Sequence, residues 1–372
     1  MKKKVLFLIY QLINGGAEKV MIDIVNHMDS SQYEVTVLTV IDCTKDAQLL
    51  KSHIKYEYIF KGKMKEDRVF FKLFYKISPK ILHQIFIKKK YDIEIAALEG
   101  IPTKIISGCE CSSTKKIAII HSDAYSIAWP TKRYKDKQQE IASYENLDNI
   151  IFVSKNTQTQ FLNKFKIEPN KTQVLYNPFD FDKINEKSLE PVDDFKRTSK
   201  YLFCAIGRLE KVKGFDRLIE AFKIVHRDHK NIQLIILGEG RERYSLSLLI
   251  NQYKLNDIIS ILGYRENPYK YLKMSDCYIC SSHSEGLSST IIEAMILNMP
   301  IIATDCGGMD ELLDGYDPGV IVNNNIYDLI EEINRFLISI EKGKHIRKES
   351  ERSIKHKFSY ENYFDEIAKV YQ

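Results

Sequence analysis

The chain of 372 residues has no apolar run approaching the roughly 20 residues that span a bilayer, so no membrane-crossing helix is expected. Lys2-Lys3-Lys4 followed by Val5 to Ile9 imitates the start of a secretory leader. The apolar run is too short, however, and ends in Tyr10-Gln11 rather than a small-residue cleavage site, so it reads as a first buried strand. Cysteine is sparse. The seven cysteines are odd in number and lack scaffold spacing, which argues against a disulfide framework and fits reduced thiols in a cytosol. Cys109 and Cys111 flank Glu110, but no second cysteine or histidine pair lies near them in sequence. Cys277 and Cys280 fall within one predicted strand, where an offset of three puts them on opposite faces. No metal site is therefore expected. Nor is there an internal repeat or a low-complexity tract. The only glycine cluster after the first strand, Asn14-Gly15-Gly16, is not G-x-G-x-x-G, which argues against a dehydrogenase.

What is present is a rhythm. Val5 to Ile9, Glu34 to Val40, Tyr91 to Ala97, Lys116 to Ile120 and Asn149 to Val153 read as buried strands separated by helical patterns. After a gap the same alternation returns with strands from Tyr201, at Ile232 to Leu237, Ile258 to Leu262, Cys277 to Cys280 and Ile301 to Thr304. The fold class is α/β, and the length suits two domains. The stretch 181–198 is charged, holds Pro191 and shows no sustained periodicity, so it is read as a linker. That gives domains at 1–180 and 199–357, with a terminal helix at 358–372. Charge is uneven: residues 1–193 carry 30 Lys+Arg against 24 Asp+Glu, and the remainder 25 against 26.

The stretch Ser281 to Met295 is the most informative. A strand runs into a polar turn broken by Gly286, and Ser288 or Ser289 can cap a helix that continues to about Asn298. The first amides of such a helix suit an anion. Glu285 stands before the helix and Glu293 well inside it; as carboxylates they would accept hydrogen bonds from neutral hydroxyls rather than face phosphate. A ligand with phosphates in its middle and hydroxyls at both ends is a nucleotide sugar. The plainer alternative is a surface loop and an amphipathic helix with two solvated glutamates. In the loop after the strand from Tyr201, Arg208 and Lys213 can flank a diphosphate, one as a fork and one as a point charge, or be ordinary solvated charges. His121 directly follows a strand, with Asp123 two residues on, where open α/β sheets bind ligands; a structural histidine is the alternative.

Glu285 to Met295, followed by Met299 to Gly308, closely resembles the signature of the retaining glycosyltransferases of family four. Tyr176 to Asp180, Tyr201 to Phe222, Gly238-Glu239-Gly240 and Gly263-Tyr264-Arg265 resemble other segments of that family, and the resemblance runs from residue 1 to the C-terminus. It implies the GT-B fold: two Rossmann-like domains whose parallel sheets face each other across a cleft, with the terminal helix crossing back onto the first. It also implies transfer of a hexosyl or N-acetylhexosaminyl group from a nucleotide diphosphate, UDP being the commonest donor. The acceptor would be a glycan or lipid-linked glycan of bacterial surface polysaccharide. By resemblance, Arg208, Lys213, Gly15, Gly16, Leu287 and Ser288 hold the diphosphate. Glu293, Tyr264 and Arg265 hold the nucleoside. Glu285, Gly286 and His121 meet the sugar, with Glu285 and His121 as the catalytic contacts. No cofactor or metal is expected. A sugar-nucleotide epimerase, a phosphorylase and a non-enzymatic sugar-nucleotide-binding shell are the rivals. A phosphorylase would need a pyridoxal lysine and a longer chain, and an epimerase acid/base carboxylates absent from this pattern. Loss of Arg208, Lys213 or Glu293 would favour the shell.

Residues 60–90 interleave Lys61, Lys63, Lys65, Arg68, Lys72, Lys76, Lys80 and Lys88 to Lys90 with aromatic and aliphatic residues, and Pro79 is expected to divide them into two helices. Such a segment suits a peripheral contact with the anionic inner face of the plasma membrane by a cytoplasmic protein. The alternative is that its apolar face covers the sheet. Nothing else in the chain supports nucleic acid as a partner.

Overall fold

The computed structural model describes residues 2–12, 16–61, 74–122, 131–343 and 351–371. The chain forms two compact units, Met1–Pro178 with Tyr360–Gln372, and Phe179–Ser359.

Unit one is built on a parallel sheet of seven strands in the order β3-β2-β1-β4-β5-β6-β7. The strands are β1 Lys3–Ile9, β2 Tyr33–Ile41, β3 Lys55–Phe60, β4 Ile93–Ala96, β5 Lys115–Ile120, β6 Asn149–Phe152 and β7 Thr172–Val174. Val5 to Ile9 is apolar at every position and buried on both faces, as a strand must be when helices cover both sides of its sheet. The Gly16–His27 helix turns Val20, Met21 and Ile24 inward at helical spacing. Beside β1 the strand order reverses, with earlier strands on one side and β4 on the other. That reversal is where such sheets bind ligands.

Unit two repeats the plan with six strands in the order β10-β9-β8-β11-β12-β13. They are β8 Tyr201–Ile206, β9 Ile232–Leu237, β10 Ile259–Gly263, β11 Cys277–Cys280, β12 Ile301–Thr304 and β13 Gly319–Val322. Its reversal lies between β8 and β11.

The structure departs from expectation in identifiable places. The stretch 181–198 is not simply extended: Phe181–Ser188 is a helix of unit two, capped by Asp180, which accepts from the Lys183 amide at 2.9 Å. Phe181, Ile184 and Ser188 are its buried face, a stripe too short to stand out among the intervening charges. The edge strands β3, β7 and β13 were not anticipated, because edge strands are only half-buried and lack the continuous apolar run. The terminal helix is Tyr360–Val370 and belongs to unit one. There the Tyr360 ring stacks on His27 at 3.9 Å, and Tyr363, Ile367 and Val370 are buried.

Of the basic segment, residues 62–73 lie outside the described residues. Beyond them a helix begins at Pro79, with Ser78 accepting from the Ile81 amide. Its Leu82, along with Phe74 and Ile87, is core, and Ile77 and Phe86 pack against that core. Ile81 and Ile85 remain exposed.

Candidate functional site

At the reversal of unit two, the loop after β8 and the loop after β11 lie one on the other. Gly214 has φ 61°, Gly238 φ 142° and Gly307 φ 37°, all in the region that favours glycine. A methyl group at these positions would overlap the carbonyl oxygens of Ser281, Gly207 and Glu285 respectively. Main chain rests on main chain, and the side chains between are placed accordingly.

Lys213 Nζ donates to Glu285 Oε1 at 2.6 Å, both side chains being less than one-fifth exposed. Ser282 Oγ donates to the same oxygen at 2.6 Å, and Ser281 Oγ donates to the Lys213 carbonyl at 3.0 Å. Arg208, at the start of the β8 loop, is exposed and forms no ion pair among the described residues. Burial raises the Cys280 thiol pKa and pushes that of Cys306 up to about 12, so neither offers a thiolate beside Glu285. Burial also raises Cys277 well above its ordinary value, in keeping with a neutral strand thiol.

The loop bearing Glu285 is held by a residue that sequence reasoning missed. Arg217 Nε donates to the Ser281 carbonyl at 2.9 Å, and Nη2 donates to the same oxygen and to the Ser282 carbonyl at 2.8 Å. Nη1 donates to Asn324 Oδ1 at 2.6 Å, and Asn324 in turn donates to the His283 and Asp305 carbonyls at 3.1 and 3.0 Å. Thr304 Oγ1 donates to the Ser282 carbonyl at 2.7 Å. One signal was legible. Arg217 lies in the first turn of the Phe215–Asp228 helix, where a cation opposes the helix dipole and so needs other acceptors.

The next helix is Ser289–Ile296. Ser288 occupies its N-cap position but makes no capping bond; its hydroxyl lies 3.2 Å from Thr290 Oγ1. The Ser288 side chain thus leaves the helix start open, and the half-buried Gly286 and Leu287 lead into it. Glu293 is buried within the helix and accepts from Tyr269 Oη at 3.2 Å. Tyr264 is exposed. The Arg265 guanidinium, expected at a nucleoside, pairs with Asp194 at 2.7 Å and donates to Tyr271 Oη at 3.0 Å. Both partners belong to its own unit.

In unit one, His121 follows β5. Its amide and that of Ser122 donate to Glu99 Oε1 at 2.8 and 2.7 Å. Glu99 is buried and its Oε2 has no hydrogen-bond partner among the described residues. Burial lowers the His121 pKa against the opposing charge of Glu99, so the ring is neutral at neutral pH. It lines a narrow cavity with Phe7, Met21, Asn177 and Tyr363. Gly16 opens its helix, exposed, with free space where a side chain would point. Gly15 and Asp123 lie outside the described residues.

Thus the structure joins Lys213 to Glu285 by contact and puts Arg208 on the same loop, with Glu293 on the helix that follows. No helix among the described residues is long and apolar enough to cross a membrane.

Comparison with known proteins gives a consistent picture. The family model described as Glycosyltransferase Family 4 matches residues 14–183, and that described as Glycosyl transferases group 1 matches residues 186–353. An uncharacterised glycosyltransferase of Methanocaldococcus jannaschii is 39% identical over 166 residues, 44% of this chain and 41% of that one. The Campylobacter jejuni N-acetylgalactosamine-N,N'-diacetylbacillosaminyl-diphospho-undecaprenol 4-alpha-N-acetylgalactosaminyltransferase is 32% identical over 180 residues, 48% and 47% of the two chains. The chain spans about half the length of these curated relatives. The crystal structure of Anabaena HepE in complex with UDP superposes with TM-score 0.79 at 20% identity, covering 99% of both chains.

Proposed function

The chain belongs to glycosyltransferase family four, and from that premise we propose that it moves a sugar from a nucleotide diphosphate donor, UDP in our reading, to a glycan or lipid-linked glycan acceptor. One observation carries the proposal. At the strand reversal of unit two, Lys213 and Arg208 stand on one loop, Glu285 lies against Lys213, and the Ser289–Ile296 helix starts beside them without a side-chain cap. Cations and helix amides together suit a diphosphate, and carboxylates beside them suit sugar and ribose hydroxyls.

In this reading Arg208 and Lys213 stabilise the leaving diphosphate, the largest charge that develops during transfer. Lys213 reaches that role by exchanging one partner for another: diphosphate oxygens displace Glu285, whose carboxylate then accepts from a sugar hydroxyl. Glu293 accepts from the ribose hydroxyls. His121, a neutral ring at the C-terminal end of β5, is the residue of unit one assigned to the sugar. The two cations serve the leaving group without a divalent ion, so transfer is proposed to be metal-independent. It is also proposed to retain anomeric configuration, as the resemblance implies, and no side chain is assigned as nucleophile. The UDP complex of HepE supports the choice of base. The diphospho-undecaprenol in the Campylobacter relative's name supports a lipid-linked acceptor.

The test is a thermal-shift screen of nucleoside diphosphates, followed by hydrolysis assays with the matching sugar donors. UDP should raise the melting temperature more than GDP or ADP, and one UDP-sugar should be cleaved. If no nucleoside diphosphate stabilises the protein, the proposal fails.

We further propose that the Pro79–Phe86 helix, through its exposed Ile81 and Ile85 beside Lys80, Lys88 and Lys89, touches an anionic lipid surface. The patch is small, since the rest of its apolar surface is core, and Lys80 and Lys89 also pair with Glu110 and Glu57. Flotation with anionic liposomes should therefore fall when Ile81 and Ile85 are changed to Ser. Equal recovery of both proteins in the soluble fraction at low salt would remove this contact from the reading.

A further inference from the structure

Glu94 lies on β4 between Ile93 and Ile95, and its side chain is 2% exposed. A carboxylate so deep in apolar surroundings requires a cation or a proton donor beside it. Two groups approach it from other elements. His83 comes from the Pro79–Phe86 helix, with Nε2 2.8 Å from Glu94 Oε2. Cys109 comes from the turn after the Ile101–Ile106 helix and is buried. The three donor atoms all lie within 4.8 Å of one another. Cys109 found no ligand partner in its own stretch of sequence; its partners come from other elements.

The backbone under this cluster is fixed. Gly108, next to Cys109, is pressed against the first turn of the helix that carries His83, and a methyl group there would overlap the Pro79 carbonyl. The elements presenting the thiol and the imidazole are therefore packed main chain to main chain before any ligand arrives. Each donor is of a type that binds zinc: imidazole nitrogen, thiolate sulfur and carboxylate oxygen, at roughly 2.0–2.3 Å from the ion. Bonds of that length around a tetrahedral ion separate the donors by roughly 3.3–3.8 Å. The Glu94–His83 pair needs to open by about half an ångström from its present hydrogen-bonded spacing to reach that range.

We propose that His83, Glu94 and Cys109 form a binding site for a zinc-like divalent cation within unit one, with water in the fourth position. The His83 side chain, 14% exposed, leaves one side open for entry. A thiolate and an imidazole select zinc over magnesium or calcium, which favour all-oxygen sites. On binding, the ion takes the place of the proton shared by His83 and Glu94 and of the Cys109 thiol proton, and both protons pass to solvent. The site uses no residue assigned to the diphosphate or sugar, so its failure would leave the transferase proposal intact.

The test is titration of the full-length protein with Co²⁺ as a spectroscopic stand-in. One equivalent should bind, with a near-ultraviolet thiolate-to-metal band and visible bands of tetrahedral intensity. Zn²⁺ should displace it and raise the melting temperature. Cys109→Ser should lose the near-ultraviolet band. Because a buried thiol variant can misfold, His83→Gln, which keeps all seven cysteines, is the second arm and should lose stoichiometric binding. Absence of stoichiometric cobalt binding by the wild type, or a band that survives in folded Cys109→Ser, would overturn the proposal.

Discussion

Replacing Arg217 with Met should loosen the loop that carries Glu285 without touching a residue assigned to the ligand. The side chain donates to the carbonyls of Ser281 and Ser282 and to Asn324. A hydrogen bond to a charged group contributes about 1.5–3 kcal/mol. The losses share one guanidinium and do not add fully, and its partial solvent access lowers them further, so about 3 kcal/mol is expected in total. In a unit of this size that shifts the melting temperature by roughly 6–12 °C. Turnover should fall by about tenfold or more, because Ser282 fixes one Glu285 oxygen and a misplaced orienting group is felt mainly in kcat. Arg217→Lys keeps the charge but not the fork and should recover only part of both losses. Scanning calorimetry and steady-state kinetics on the three proteins decide the matter. A Met variant that melts with the wild type and turns over normally would refute the role given to Arg217.

Glu293→Ala should weaken UDP binding by about 10- to 100-fold, the worth of one lost charged hydrogen bond, whereas Glu285→Gln should lower turnover with UDP affinity retained or tightened. The gain would come from Lys213, left without its carboxylate, and calorimetry showing the opposite order would exchange the two roles. A chelator should leave transfer intact; activity lost and then restored by magnesium or manganese would end the metal-independent reading, whereas restoration by zinc alone would point to the His83 cluster. Burial holds the His121 pKa below its ordinary 6.5, so below about pH 6.5 the unfolded chain binds a proton that the folded chain refuses, and stability falls with pH. His121→Asn should flatten that acid arm relative to wild type in melts between about pH 8 and pH 5, and parallel curves would show that the ring titrates freely.

Much of this is legible in the amino-acid sequence. Strands such as Val5 to Ile9 and Leu234 to Leu237 are apolar at every position, which few structures other than a covered parallel sheet require. Arg208, Lys213, Glu285 and Glu293 could be placed at strand ends and in a helix from glycine and serine punctuation alone. Their mutual contacts could not. Lys213 and Glu285 meet because β8 and β11 are neighbours across a strand reversal, a fact of topology that no local spacing encodes. Arg265 looked available because its partner, Asp194, lies in a stretch read as linker. The Phe181–Ser188 helix was hidden for a related reason: its three buried positions are spread among charged ones.

Gly214, Gly238 and Gly307 make the loops around Lys213 and Glu285 a single casting rather than separate inserts. Each loop is moulded on a carbonyl of another, so a loop taken from a distant relative would arrive with the wrong backbone height for its neighbours. Chimeras that exchange only 207–214 or only 281–288 should express poorly. Those that carry both loops together with Gly238 and Gly307 should fold. For this half of the molecule the unit of inheritance is the interlocked set, and new donor preference would arise by changing side chains on that set.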